Sequence, residues 1–135
     1  MSGLIGLLLV AVGGAGGGLL RYLLSVAVDQ RTAGVSPWGT LLVNVSGAFL
    51  LGFLMGWMGF PVLTPTDSHV WLLLVVGVLG SYTTVSSFSL QTLVLLEEGH
   101  VGRAGWNVLL SFGLCLLAAA VGLASGVGLG PGPAA

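Results

Sequence analysis

Charge is what this chain has least of. Its 135 residues include three basic and four acidic side chains, 5% charged in all, against 56% hydrophobic residues and a mean hydropathy of +1.10. Soluble domains carry roughly 25% charged residues. So few charges cannot clothe a water-exposed surface, and lipid must solvate most of the outside. A net charge of −1 leaves no basic patch for nucleic acid or an anionic membrane surface. The single cysteine, Cys115, excludes an intrachain disulfide and lies inside an apolar run. Deep in the apolar runs there is no Asp, Glu, Lys or His, which argues against a proton-coupled carboxylate relay. No nucleophile–base pair and no cluster of metal-ligating side chains appears, so an enzyme is not expected. His69 and His100 fall in loops, far apart in sequence.

The charges present are informative by position. Asp29 with Arg31, Asp67, and Glu97, Glu98 with Arg103 separate long apolar stretches; Arg21 alone falls inside one. A charge at the bilayer centre costs at least ~2.5–3.5 kcal/mol, so the clusters mark where the chain surfaces. A span needs about 20 residues. Four stretches qualify, at about Ser2 to Val28, Pro37 to Phe60, Val70 to Leu96 and Ala104 to Gly126. Residues 3–12 lack the preceding basic residue of a signal peptide, and their apolar character runs on, so they read as a retained first span. The expected organisation is one four-helix membrane domain over residues 1–127 and a disordered tail over 128–135, rich in Gly and Pro. Short loops predict antiparallel neighbours in one bundle. Arg31 and Arg103 lie in the first and third loops, opposite the termini, which favours cytoplasmic first and third loops. A bias of two charges is weak enough to permit both orientations.

Glycine is abundant, with 24 residues. Gly13 and Gly17, Gly14 and Gly18, Gly52 and Gly56, and Gly122 and Gly126 are each four apart, which lines small residues along one helix face and lets backbones approach. Polar residues within the spans are few. The third holds Gly80-Ser81-Tyr82-Thr83-Thr84-Val85-Ser86-Ser87-Phe88-Ser89, with hydroxyls between two apolar flanks each too short to span. A straight helix over Val70 to Leu96 would be about 40 Å long, longer than a ~30 Å hydrocarbon core. A break near mid-membrane fits both facts, and irregular backbone there must be buried in protein or line a polar cavity. The competing reading is a continuous helix whose Ser and Thr bond back to their own backbone. In the second span Thr40 and Asn44 share a face; Asn44 either cements helices or donates to an anion. Arg21 either snorkels to the interface or sits at the mouth of an anion path. Asn107 and Ser111 share a face of the fourth span.

Residues 14–22 (GAGGGLLRY), 39–52 (GTLLVNVSGAFLLG) and 77–89 (GVLGSYTTVSSFS) together resemble the fluoride channel family, Fluc or CrcB, in order and over nearly the whole chain. The resemblance implies an antiparallel, dual-topology dimer in the cell membrane, homodimer or heterodimer, with two fluoride pores. It also implies a structural sodium ion at the dimer centre, held by main-chain carbonyls at the positions of Gly80 and Thr83. By the same resemblance Asn44 corresponds to a pore asparagine, Ser86 and Ser87 to a hydroxyl track, Phe88 to a pore phenylalanine, Ser111 to a fourth-helix serine and Arg21 to the first-helix arginine. Val85 stands where the family usually has a first pore phenylalanine, and Asn107 where some members have tyrosine. The implied activity is passive export of fluoride that relieves its toxicity. Hydroxyls, an amide and positive aromatic edges would replace the ion's water without trapping it. A non-conducting or heterodimer-only subunit remains open because of Val85. A small multidrug exporter would need a buried acid in the first span, which is missing.

Overall fold

A computed structural model describes residues 2–31, 37–58 and 69–130 of the chain. Every regular element among them is helical. Helix α1 is Ser2–Asp29 and α2 is Trp38–Met58. Helix α3 runs as His69–Trp71, a π-helical stretch Leu72–Leu79 and a last turn Gly80–Tyr82. Helix α4 is Val85–Glu97 and α5 is Val101–Leu129. Taken as spans, α1, α2, the pair α3–α4 and α5 are four segments long and apolar enough to cross a membrane. The chain is a multi-pass membrane protein by this measure. Only 6% of the most apolar window of α5 is buried within the chain, so lipid or another protein must cover the rest.

Backbone proximity holds the helices together. On α2 and α5 four glycines interleave: a Cβ on Gly52 would collide with the Ala119 carbonyl, on Gly122 with that of Phe49, on Gly56 with that of Leu123 and on Gly126 with that of Phe53. The spacing of small residues read from the sequence is therefore one continuous contact between two helices. On α1, a Cβ on Gly17 would collide with the Val78 carbonyl, and one on Gly13 would lie 2.5 Å from the Leu73 carbonyl oxygen. Gly16 and Gly18, by contrast, face open space. The apolar core proper is small: Val43, Leu79 and Tyr82, with Leu24 and Leu54 packed on it.

The π-helical winding of Leu72–Leu79 was not visible in the sequence, because LLLVVGVL has the composition of any buried helix. At its end the Gly80 N–H donates to the carbonyls of Gly77 and Val75. The turn from α4 to α5 is closed by Gly99 at φ +79°. Its N–H reaches Leu96 O at 3.0 Å while that of His100 reaches Leu95 O at 2.8 Å, a Schellman end that satisfies the last carbonyls of α4. Helix α5 exceeds its expected bounds at both ends. It does not stop at Gly126, which keeps helical backbone against α2, but at Gly130, whose N–H donates to Gly126 O at 2.8 Å. Gly128 and Leu129 are thus helical rather than part of a tail; the expectation for 131–135, and for the end of the second span at 59–60, lies outside the described residues.

Two neighbouring glycines give a test. Gly17→Ala forces a methyl into the Val78 carbonyl and should lower stability by about 1–3 kcal/mol, as overpacked cores do. Gly16→Ala meets no atom within 4 Å and should be neutral or stabilising by up to ~1 kcal/mol through helix propensity. Thermal unfolding in detergent should therefore show a lowered midpoint for Gly17→Ala and an unchanged or raised one for Gly16→Ala.

Candidate functional site

Between α3 and α4 the chain leaves helical geometry for two residues. Thr83 has φ −79° and ψ 155°, and Thr84 φ −151° and ψ 125°. Extended backbone frees carbonyls and N–H groups that must find partners when away from water. Asn44, one turn along α2 from the buried Thr40, supplies them. Its Nδ2 donates to Thr84 O at 2.8 Å, and its Oδ1 accepts from Thr84 N at 2.8 Å. A single side-chain amide thus satisfies both backbone groups of one residue.

The consequence falls on Gly80. In an uninterrupted helix its carbonyl would accept the N–H of residue 84, which here goes to Asn44. The carbonyl of Thr83 would likewise accept the N–H of Ser87, which here donates to Thr84 Oγ1 at 3.2 Å. Thr84 is thereby the N-cap of α4, a role suited to threonine. Its hydroxyl also donates to Ser87 Oγ at 3.2 Å and lies 3.1 Å from Ser86 Oγ. Upstream, the Thr83 N–H and hydroxyl both donate to Leu79 O at 3.1 Å. A second contact from α2 supports the same segment: Tyr82 Oη lies 2.8 Å from Ser46 Oγ, whose own proton is directed at Leu42 O at 2.7 Å.

The extended pair opens on a cleft of about 930 Å³ between α2, α3, α4 and α5. Asn44, Gly80, Thr83, Val85, Phe88 and Ser111 all line it. Sequence positions far apart are therefore brought to one wall. Ser86, Ser87 and Arg21 do not line this cleft. Ser86 is exposed and Ser87 half-buried, both gathered on the Thr84 hydroxyl, and Arg21 is half-buried on α1. Val85 lines the cleft and is 76% exposed within the chain. No group of three or more His, Cys, Asp or Glu side chains gathers among the described residues. The oxygens that line the cleft are main-chain carbonyls, the hydroxyls of Thr83, Thr84 and Ser111, and the Asn44 amide.

Two functional candidates escaped sequence reasoning. Thr84 was one hydroxyl among seven, although a threonine directly before a helical run is an N-cap signal. The other is a chain of hydrogen bonds on the far side of Phe88. Asn107, buried to 5% exposure, donates to Thr92 Oγ1 at 2.9 Å, and Thr92 Oγ1 donates to Phe88 O at 2.8 Å. Nothing in the spacing of Asn107 and Thr92 announces that contact.

Residues 8–123 match the family described as CrcB-like protein, Camphor Resistance (CrcB). The chain belongs to this family. Among CrcB-like relatives, it is 45% identical over 127 residues to "Fluoride-specific ion channel FluC 2" of Bradyrhizobium diazoefficiens, covering 94% of this chain and 93% of that one. It is 48% identical over 120 residues to a protein of the same name from Rhodopseudomonas palustris, covering 89% and 92%. It is 47% identical over 128 residues to "Fluoride-specific ion channel FluC" of Opitutus terrae, covering 90% and 92%. Membership in the CrcB-like family therefore rests on nearly full-length similarity rather than on the three motifs alone.

Asn44 offers a direct check of the cleft's geometry. Asn44→Ala strands the N–H and carbonyl of Thr84 away from water, at a cost of about 1–3 kcal/mol per unsatisfied group. Ser46→Ala removes one hydroxyl contact and should cost roughly 0.5–1.5 kcal/mol. Thermal unfolding should rank the two in that order; equal shifts would mean that Asn44 does not hold the extended pair.

Proposed function

We propose that this chain forms a fluoride-selective channel that lets the ion leave the cell passively across the plasma membrane. The observation that carries the reading is the convergence of Asn44, Phe88 and Ser111 on one cleft beside the extended Thr83–Thr84 pair. Fluoride holds its water tightly, so a path must offer replacement donors. An amide, hydroxyls and the positive edge of a phenyl ring do so without a fixed charge that would trap the ion. The names of the full-length relatives support the same ion.

The cleft is open on one side and walled by exposed apolar residues such as Phe112 and Leu116, at 70% and 57% exposure. A second copy or a homologous subunit in the opposite orientation would cover that wall and double the pathway. The weak two-arginine bias suits either orientation. In that dimer the Thr83–Thr84 break lies near mid-membrane, at the subunit junction.

A structural sodium ion fits the donor set. Hard cations take oxygen ligands, and the carbonyls of Gly80 and Thr83 are among those left without their helical donors, which are diverted to Asn44 and to Thr84. Two subunits would contribute these positions twice over. Bound there, the ion would supply positive charge and cross-link the subunits; it takes no part in moving fluoride. Ser86, Ser87 and Arg21 remain path residues in this reading. They lie outside the cleft, and the dimer would have to bring them onto the route.

One observation favours a narrower version. Val85 leaves each path with one phenylalanine in the third span, which suits a subunit that conducts only beside a homologous partner supplying the missing ring.

Fluoride efflux from proteoliposomes should exceed chloride efflux by orders of magnitude, and Phe88→Ile should suppress it strongly while the protein stays folded. No fluoride flux from the chain alone but flux on co-reconstitution with a homologous partner selects the heterodimer; none in either case refutes the channel. Replacing sodium with potassium during thermal unfolding of the dimer should lower its midpoint if the carbonyls hold the ion.

A further inference from the structure

Helix α4 carries Phe88 but has little to hold it in place. Of its 13 residues only Leu95 is buried, and it has no glycine to let a neighbouring backbone come close. Its rotation about its own axis and its height against its neighbours must therefore be set by a few specific contacts. Two asparagines supply them, one from each flanking helix. Asn44 of α2 holds Thr84, the N-cap, through both backbone groups at 2.8 Å. Asn107 of α5 holds Thr92, its Nδ2 donating to Thr92 Oγ1 at 2.9 Å. Thr84, Phe88 and Thr92 follow at four-residue intervals. The two anchors thus lie one turn before and one turn after the phenylalanine, along one side of the helix.

The second anchor also sets a register. α4 and α5 are joined by the short turn at Gly99 and run antiparallel. One turn back along α4 from Thr92 is Phe88, and one turn on along α5 from Asn107 is Ser111. Between antiparallel helices those two steps go the same way, each by a rise of about 6 Å. The Asn107–Thr92 bond therefore places Phe88 at the level of Ser111, and both of these line the cleft. Asn107 itself is buried and does not line the cleft. It acts at one remove: Thr92 Oγ1 accepts its proton and passes its own to Phe88 O at 2.8 Å.

We propose that Asn107 is a positioning residue for the anion path, locking through Thr92 the rotation and register of α4 and so the placement of Phe88 against Ser111. The inference rests on the channel reading for its effect on flux, but not for its geometry. A slip of one residue along an α-helix turns each side chain by about 100°, enough to carry the ring off the cleft wall. The two links are separable by chemistry. Valine at position 92 has nearly the shape of threonine but neither accepts from Asn107 nor donates to Phe88 O, whereas serine keeps both bonds. Alanine at position 107 cuts the tie to α5 and leaves the bond from Thr92 to Phe88 O in place.

A fluorine label on the Phe88 ring alone tests the geometry. In detergent the labelled chain should give one sharp fluorine NMR resonance. Thr92→Val and Asn107→Ala should each shift or broaden it, the two together no more than Thr92→Val alone, and Thr92→Ser should leave it in place. In proteoliposomes Thr92→Val and Asn107→Ala should lose fluoride efflux several-fold, and Thr92→Ser should retain it. A resonance unmoved in both variants overturns the proposal, as does a Thr92→Ser chain altered as much as Thr92→Val. A moved resonance with unchanged efflux overturns the role in the path. Should Thr92→Val not fold, Asn107→Ala set against Thr92→Ser gives the same decision. If the unsubstituted chain carries no fluoride alone or with a partner, the channel reading fails, while the fluorine signal still decides whether Asn107 holds Phe88 in place.

Discussion

The rest of the site depends on one side-chain amide taking the place of a helix. Asn44 gives Thr84 both an acceptor and a donor, so the backbone can run extended for two residues without an orphaned polar group. Within a bilayer core such an orphan costs several kcal/mol. An aspartate there would lose the donor and bring a buried charge; a leucine would lose both bonds. The reciprocal geometry explains why an asparagine can be both cement and part of a cleft wall. Its oxygen is committed to Thr84 N, and its Nδ2 carries a second proton beyond the one given to Thr84 O.

Diverting one N–H has effects on either side. Upstream, Gly80 loses the donor that a continuous helix would give it. Downstream, Thr84 becomes an N-cap and draws the N–H of Ser87 away from Thr83. Two carbonyls four and one residues before the cap are thereby released near the same cleft. The hydroxyls of Ser86 and Ser87 gather on Thr84, so the polar run of the third span is an ordered network rather than a loose collection. Tyr82 and Ser46 tie its upstream end to α2.

Such a segment needs close neighbours, and the glycines supply them. Where lipid removes the hydrophobic drive between helices, van der Waals approach and hydrogen bonds must hold the bundle. The interleaved glycines of α2 and α5 allow backbone contact over two helical turns. Those of α1 receive the π-helical stretch of α3. With a core of few fully buried side chains, stability comes from these seams, and much apolar surface is left for lipid or another protein to cover.

Hydropathy, charge clusters and glycine spacing were legible from composition alone, because the bilayer imposes length and polarity on any segment that crosses it. That is why the four spans, their short third loop and the packing faces at Gly52, Gly56, Gly122 and Gly126 could be read residue by residue. Asn44 could be marked as a deep amide but not given a partner, since Thr84 is 40 residues away and no local rule links them. The π-helical winding, the helical state of Gly128 and the Asn107–Thr92 contact were hidden for the same reason: each is settled by what a neighbouring helix presents. The sequence by itself determined that this is a four-span membrane protein with polar groups in its interior. Tertiary structure alone decided which of those groups meet, because hydrogen bonds between helices depend on register and rotation, and neither is written in one helix's own residues.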